Sequence, residues 1–247
     1  MVIQDFLFIY QSVFAIIHLG ENMKRIGLLI AVEINAILNS NYQLLKEENV
    51  GNFKVYKYEI KGCEIIAIKS GMGQVRAAAA TEILITKYEV EAIINFGVVG
   101  SLRDNLNLEM VCLVKGLVDY QFDVSKIDNV EPARHENYPS VVIEPNRRLL
   151  DLASKLYPKL PLVICASGHR FVDGKEEKEE IASKFNCDIV EMEAIGIQLV
   201  ADMHNIPTLY IKGISDSFTG GAHQYSELRD TAASICFDVV LNLIDEL

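Results

Sequence analysis

The sequence predicts an α/β fold in which helices cover both faces of a parallel or mixed sheet. Short apolar runs rich in β-branched residues alternate with segments of helical spacing, as in chains that wind helices around a sheet. Half of the 247 residues are hydrophobic, so the chain can bury a full core. Because no proline-, glycine- or serine-rich linker or charge run divides it, we predict a single domain over residues 23–247.

The predicted strands are short apolar runs bounded by glycine, proline or charged residues, which is typical of buried strands. In chain order they cover residues 26–32 (IGLLIAV), 63–68 (CEIIAI), 92–96 (AIINF), 110–114 (MVCLV), 162–165 (LVIC), 187–190 (CDIV) and 208–214 (TLYIKGI). Helices are predicted over 74–87, which starts with alanines, over 194–204, and over the amphipathic segment 227–247.

Residues 1–22 form an apolar N-terminal extension whose status the sequence leaves open. The stretch from Phe6 to Leu19 is almost uncharged, but only Asp5 precedes it where a signal peptide would carry Lys or Arg. It is also short for a membrane span. Three interpretations remain: sequence upstream of a usual start at Met23, a helix that covers an apolar surface, or a weak membrane anchor.

The charge and the cysteines limit the classes of partner. A net charge of -11 opposes binding to nucleic acid, because that affinity rests on clustered Lys and Arg. We therefore expect no nucleic-acid partner, and no membrane partner either.

Five widely spaced cysteines with mostly apolar neighbours predict core thiols of a reducing compartment, hence a cytoplasmic protein. No metal-site spacing and no G-x-G-x-x-G dinucleotide motif is present, so no metal or cofactor is expected.

Three carboxylates follow two of the predicted strands. Glu191 and Glu193 come after the run 187–190, and Asp216 follows the run 208–214. Taken singly, Glu193 could cap the next helix and Asp216 could cap a turn. Open α/β sheets bind ligands at the carboxyl ends of their strands, so the three together predict a ligand site.

Four segments in a fixed order carry a resemblance to a known family. They are IGLLIAVE at 26–33, SGMGQV at 70–75, INFGVVG at 94–100, and the carboxylate pair VEMEA at 190–194 with KGISD at 212–216. The chain resembles the purine nucleoside phosphorylase and nucleosidase superfamily, and most closely its 5'-methylthioadenosine/S-adenosylhomocysteine nucleosidases. The match runs from about Arg25 to the C-terminus. The resemblance implies a three-layer α/β sandwich around a mixed, partly barrel-like sheet, and a homodimer.

The resemblance also implies roles for the residues around the carboxylates. Asp216 would donate a proton to the leaving adenine, with Ser215 and the apolar strand helping to raise its pKa. Met192 would pack against the sugar, and Glu193, beside Glu191, would accept hydrogen bonds from the sugar hydroxyls. A carboxylate near the sugar suits this chemistry, because breaking an N-glycosidic bond builds positive charge on the ribose.

Two further segments are predicted to contact the nucleoside. Phe171 resembles the family's aromatic residue that stacks on the purine, and the backbone at Val172 would read the base edge; an ordinary core aromatic is the alternative for Phe171. At Ser70 and Gly73, a strand–glycine–helix junction lets backbone N–H groups approach an anion, a ribose or a water molecule. A tight turn that only permits close packing is the alternative there.

Two departures from the family pattern affect the predicted chemistry. Asn35 stands where relatives place the Glu that activates water, so either Glu33 takes that role, the reaction needs little base assistance, or the activity is altered. Asn95 and Val98 stand where phosphorylases supply an Arg and a Ser for phosphate, and Asn cannot replace that charge. Water is therefore the expected nucleophile, unless an Arg from elsewhere, such as Arg76 or Arg103, substitutes.

We therefore predict hydrolysis of the N-glycosidic bond of a 5'-thio-substituted adenine nucleoside, with release of adenine. Two alternatives stay open. One is a phosphate-dependent purine nucleoside phosphorylase, and the other is a nucleoside-binding protein on the same fold that has lost turnover at the Asn35 substitution. The residues of the 5' pocket are too scattered in the sequence to identify the preferred nucleoside.

Overall fold

The computed structural model describes residues 23–247, so the predictions for residues 1–22 lie outside the described part of the chain. The strands are β1 (Arg25–Ile30), β2 (Leu44–Val50), β3 (Phe53–Ile60), β4 (Cys63–Lys69), β5 (Ala92–Ser101), β6 (Val111–Asp119), β7 (Leu162–Ser167), β8 (Ile189–Glu191) and β9 (Thr208–Asp216). The helices of this range are α1 (Asn35–Leu38), α2 (Gln74–Thr86), α3 (Ser125–Asp128), α4 (Arg147–Leu156), α5 (Lys175–Phe185), α6 (Ala194–Met203) and α7 (Ala222–Ile244).

All nine strands of residues 23–247 belong to one mixed sheet that is partly closed into a barrel. The strand order is β2-β3-β4-β1-β5-β8-β7-β6-β9, and β9 pairs back onto β5. This extra pairing closes a ring through β5, β8, β7, β6 and β9, while β1, β4, β3 and β2 extend from β5 as an open sheet. Since β5 runs parallel to β1 and β9 but antiparallel to β8, the predicted mixed, partly barrel-like sheet is confirmed.

Helices cover the sheet on both sides, as a three-layer sandwich requires. Successive side chains of β1 point to opposite faces. Ile26, Leu28 and Ile30 belong to a core cluster completed by α4 and α7, whereas Leu29 belongs to one completed by α2 and α6. A third cluster packs α5 against the barrel strands.

The structure confirms the predicted strands and helices, with shifted ends, and adds others. Strands β5, β6 and β9 continue past the predicted limits to residues 101, 119 and 216. Strands β2 and β3 and helices α1, α3, α4 and α5 were not predicted. Strand β2 (LLKEENV) is a largely exposed edge strand, and α5 (KEEKEEIASKF) is dominated by charge, so neither has the apolar run on which the predictions relied.

The five cysteines are buried and carry free thiols, as predicted. They are Cys63, Cys112, Cys165, Cys187 and Cys236. Among residues 23–247, no helix is both long enough and apolar enough to cross a membrane.

Helices α2 and α6 are in close contact at a glycine. A Cβ atom on Gly196 would lie 2.5 Å from the carbonyl oxygen of Gln74 and 3.1 Å from its Cα. Backbone atoms cannot move aside as a flexible side chain can, so only glycine fits this contact. The contact brings the first turn of α2 next to the first turn of α6, and it thereby sets Gly73 beside Glu193.

Replacing Gly196 with alanine should destabilise the protein. Overpacking typically costs about 1–3 kcal/mol, and the better helix propensity of alanine returns about 1 kcal/mol. For a chain of this size each kcal/mol lowers Tm by roughly 2–4 °C, which calorimetry would detect. Met203→Ala, at a residue of the same helix that is 77% exposed, should leave Tm unchanged. A Gly196→Ala protein as stable as wild type would contradict this account of the helix contact.

Candidate active site

A cleft opens where β5, β8 and β9 end. Its walls come from these strands and from the loop after β7. The lining residues are Gly100, Arg170, Phe171, Val172, Val190, Glu191, Met192 and Asp216. Five of the residues predicted to contact or act on a nucleoside therefore share one cleft, although they come from three separate parts of the chain.

Asp216 is the last residue of β9, and its side chain is almost fully buried at 1% exposure. It pairs in register with Gly100 of β5, where a Cβ atom would lie 2.8 Å from the Asp216 Oδ2. The absence of a side chain at Gly100 thus makes room for the carboxyl group. The Ser215 hydroxyl donates to the other oxygen, Oδ1, at 3.0 Å. This hydrogen bond lowers the pKa of Asp216, so the prediction that Ser215 helps to raise it is wrong.

Lys178 of α5 is a partner of Asp216 that the sequence analysis missed. Its fully buried Nζ donates to the Asp216 Oδ2 at 2.5 Å. Burial raises the pKa of Asp216 above its ordinary value, while Lys178 and Ser215 offset part of that rise. A sequence signal existed: Lys178, Ile181 and Ala182 share helical spacing and are all buried, so Lys178 lies on the apolar face of a charged helix.

Glu193 precedes α6 at its N-cap position, but its side chain does not cap that helix. Its Oε1 instead accepts a hydrogen bond from the backbone N–H of Gly73, at 2.6 Å. Burial and the nearby Glu191 carboxylate raise the pKa of Glu193 to about 8, against a partial offset from the Gly73 N–H and Lys212. The simple capping interpretation of Glu193 is therefore wrong.

Glu191 is the residue that caps α6. Its two carboxylate oxygens accept from the backbone N–H groups of Glu193 and Ala194 at 2.9–3.1 Å. The Nζ of Lys212 donates to the same carboxylate at 3.1 Å, with both side chains 2% exposed. Although Glu191 lines the cleft, its carboxylate is already used to hold β9 and α6 together.

Glu33 and Asn35 lie in different surroundings. The Glu33 carboxylate is buried and accepts from the N–H of Val32 at 3.0 Å and of Val98 at 3.4 Å, next to Gly97 of β5. It is also close enough to contribute to the raised pKa of Glu193. Asn35 is exposed at the start of α1. Of these two candidates for handling water, only Glu33 packs against β5.

Ser70 and Gly73 occupy the predicted junction between a strand and a helix. Ser70 is fully buried, and its hydroxyl donates to the carbonyl of Gly71 at 2.8 Å. Gly73 adopts φ 99° before α2, a conformation that favours glycine, and this turn directs its N–H towards Glu193. The junction thus does more than allow close packing, because it positions one of the site carboxylates.

The segment of β5 that matches the phosphate-binding segment of phosphorylases carries no cation. Asn95 is buried, and its Nδ2 donates to the carbonyl of Leu29 at 2.9 Å. The arginines considered as substitutes have other partners. Arg76 donates to the Ser70 carbonyl at 2.6 Å, and Arg103 contacts Asp188 at 3.1 Å.

Phe171 is 40% exposed, so it is not an ordinary core aromatic. Its ring contacts Tyr225 of α7 edge to face, with 5.5 Å between the ring centroids. Val172 beside it is buried, and Met192 is half-buried in the same cleft. An aromatic face, an apolar thioether and a buried carboxyl group therefore converge on one space.

Similar proteins were found both by sequence and by structure. The chain is 27% identical over 231 residues to the 5'-methylthioadenosine/S-adenosylhomocysteine nucleosidase of Desulfotalea psychrophila, covering 90% of this chain and 98% of that protein. It is 28% identical to the Staphylococcus aureus protein of the same name, covering 90% and 100%.

Solved structures from Helicobacter pylori have the same fold. The nucleosidase of the same name, solved with butyl-thio-DADMe-Immucillin-A, superposes with a TM-score of 0.84 at 27% identity, covering 92% of this chain and 100% of that one. Futalosine hydrolase superposes with a TM-score of 0.84 at 26% identity, covering 91% and 99%. The family model described as the phosphorylase superfamily matches residues 25–245, so the chain belongs to the phosphorylase superfamily.

Proposed function

We propose that the protein hydrolyses the N-glycosidic bond of an adenine nucleoside that carries a 5'-thio substituent, releasing adenine and a thioribose. The observation that carries this proposal is the buried Asp216 carboxyl group in the cleft that Phe171 and Met192 also line. The sequence relatives and the first of the two structural relatives are named as 5'-methylthioadenosine/S-adenosylhomocysteine nucleosidases, and this supports the same substrate class.

In the proposed reaction, the two ends of the breaking bond are stabilised by different carboxyl groups. Positive charge develops on the ribose and negative charge on the base as the bond lengthens. Glu193 would support the ribose through its hydroxyls, beside Met192, and Asp216 would pass a proton to the base. Phe171 would stack on the purine while the backbone at Val172 reads its edge, and such stacking contributes about 1–3 kcal/mol per base.

Water is the proposed nucleophile, and Glu33 is the proposed group that orients it. Glu33 is a buried carboxylate against β5, whereas Asn35 is exposed and has no acidic proton to exchange. The Ser70–Gly73 junction would supply backbone groups near the same water. Phosphate is a less suitable nucleophile because Asn95 uses its amide to hold β1 and carries no charge.

The biological setting follows from the same assignment. We propose a small-molecule nucleoside as the partner, a homodimer in which a neighbouring subunit closes the 5' pocket, and a cytoplasmic location with a role in methionine salvage. The family resemblance supports the homodimer, and the five free, buried cysteines are compatible with a reducing compartment. Futalosine hydrolase is as similar in fold as the nucleosidase, so the 5' group of the substrate has to be tested directly.

The purified protein should release adenine from 5'-methylthioadenosine in phosphate-free buffer. Chromatography of the free base, with and without phosphate, gives the direct measurement, and a panel with S-adenosylhomocysteine, 5'-deoxyadenosine and futalosine would define the 5' preference. A strict need for phosphate, with a sugar 1-phosphate as product, would identify a phosphorylase. Binding of the nucleoside without release of the base would identify a binding protein.

Asp216→Asn should lower kcat by about 10²- to 10⁴-fold with little change in KM, because the amide keeps the size but cannot donate a carboxylic proton. Steady-state kinetics on 5'-methylthioadenosine would measure both constants. Asp151→Asn, at an exposed residue of α4, is the matched control and should behave as wild type. Unchanged turnover in Asp216→Asn would remove the basis for the assignment.

Glu193→Gln should weaken catalysis yet stabilise the free protein as pH rises. With a pKa of about 8 in the folded state and an ordinary value of 4.5, Glu193 holds a proton that the unfolded chain has released. Wild-type stability therefore falls with rising pH across that interval, and the glutamine variant lacks this dependence.

The measurements for Glu193→Gln are Tm at several pH values together with kcat and KM. The Tm advantage of the variant should grow between about pH 5 and pH 8, while KM rises and kcat falls. Glu179→Gln, at an exposed residue of α5, serves as the control and should follow wild type. A Tm difference that does not depend on pH would contradict the assigned ionisation.

A further inference from the structure

The buried ammonium group of Lys178 makes three contacts with oxygen atoms. Its Nζ lies 2.5 Å from the Asp216 Oδ2, 2.7 Å from the carbonyl oxygen of Ser217 and 3.1 Å from that of Gly220. A protonated lysine supplies one N–H donor to each of these three oxygen atoms. The geometry therefore fits Lys178 as a cation, and Asp216 is the group that balances its charge.

The charges around this pair leave Asp216 as the counter-ion. Lys178 and Asp216 are 0% and 1% exposed, and a single charge at such a position would be costly without its partner. Asp173, in the loop before α5, adds a smaller effect, because its negative charge raises the pKa of Asp216. At the cleft, Arg170 is already paired with Glu177 of α5. From β5, the facing residue is Gly100, which carries no charge.

An ionised Asp216 has no proton to give to a leaving base. Within the described residues, the side chains hydrogen-bonded to Asp216 are those of Lys178 and Ser215. A serine hydroxyl is a far weaker acid than an ammonium group. Lys178 is therefore the acid next to Asp216 that can resupply its proton.

We propose that Lys178 stores the proton that Asp216 delivers to the leaving purine, an inference that rests on the proposed function. As the C1'–N9 bond breaks, its electron pair moves to the base, and a ring nitrogen of the base takes a proton from Asp216. The Nζ of Lys178 gives a proton to Asp216 and becomes a neutral amine. Water adds to C1', and the proton that it loses returns the amine to its ammonium form, so atoms and charge balance.

The central experiment compares Lys178→Met, Lys178→Arg and the control Lys175→Met. Lys175 lies three residues earlier on α5 and is exposed. Arginine keeps a positive charge and hydrogen-bond donors but does not release its proton. Both Lys178 variants should therefore lose about 100-fold in kcat with little change in KM, and Lys175→Met should keep wild-type constants.

The pH profile adds a result that a purely structural role would not produce. An ammonium group keeps its proton to higher pH than a carboxylic acid does. Wild-type turnover should therefore continue into alkaline solution, whereas Lys178→Met, in which Asp216 alone holds the proton, should lose its turnover at lower pH. In Lys178→Ala, added methylammonium should restore turnover in proportion to its concentration, and KCl should not.

A measurement on the unmodified protein covers the case in which a variant fails to fold. The carboxyl carbon of Asp216 can be observed by NMR with ¹³C-labelled aspartate, and its signal is assigned because it is absent in Asp216→Asn. Its chemical shift should show an ionised carboxylate at neutral pH in the wild type. A protonated Asp216 there would overturn the inference, and so would wild-type turnover in Lys178→Arg or an unchanged pH profile in Lys178→Met. Failure of the wild type to release adenine would instead reject the proposed function.

Discussion

The pairing of strand β5 with three other strands is the constraint on which the rest of the structure depends. All ten of its residues are buried, and it runs parallel to β1 and β9 while its last residues pair with β8. The open sheet and the barrel thus share one strand. A one-residue slip of β5 would turn every one of its side chains to the other face, so the burial of both faces fixes its register.

That register decides what each part of the cleft can contain. Gly97 and Val98 meet the Glu33 carboxylate, and Gly100 leaves the space that Asp216 occupies. The two glycines are therefore as much a part of the site as the acids beside them. A side chain at Gly100 would meet Asp216 itself, because its Cβ would lie 2.8 Å from the Oδ2 atom.

Four buried carboxylates around the site divide into two groups. Glu191 and Asp216 each have a buried lysine partner, Lys212 and Lys178 respectively. Glu33 and Glu193 instead rely on backbone N–H donors, which carry only partial charge. Burial and the neighbouring Glu191 carboxylate raise the pKa of Glu193, and Glu33 adds a smaller contribution.

The sequence by itself determined the α/β class, every described strand except β2 and β3, the three helices α2, α6 and α7, and five of the residues that meet in the cleft. The spacing of apolar residues and the positions of glycines are local properties that can be read from the sequence. The family resemblance supplied the roles of the site residues. The sequence could not distinguish the roles of Glu191 and Glu193, because which carboxylate caps α6 depends on where Gly73 lies in space. Helical spacing places Lys178 on the same face as Ile181 and Ala182, but the sequence analysis missed it because a segment so rich in charge normally predicts a solvated helix. Only the tertiary structure buries that face of α5 against the barrel and brings its ammonium to Asp216, because burial depends on contacts between residues far apart in the chain.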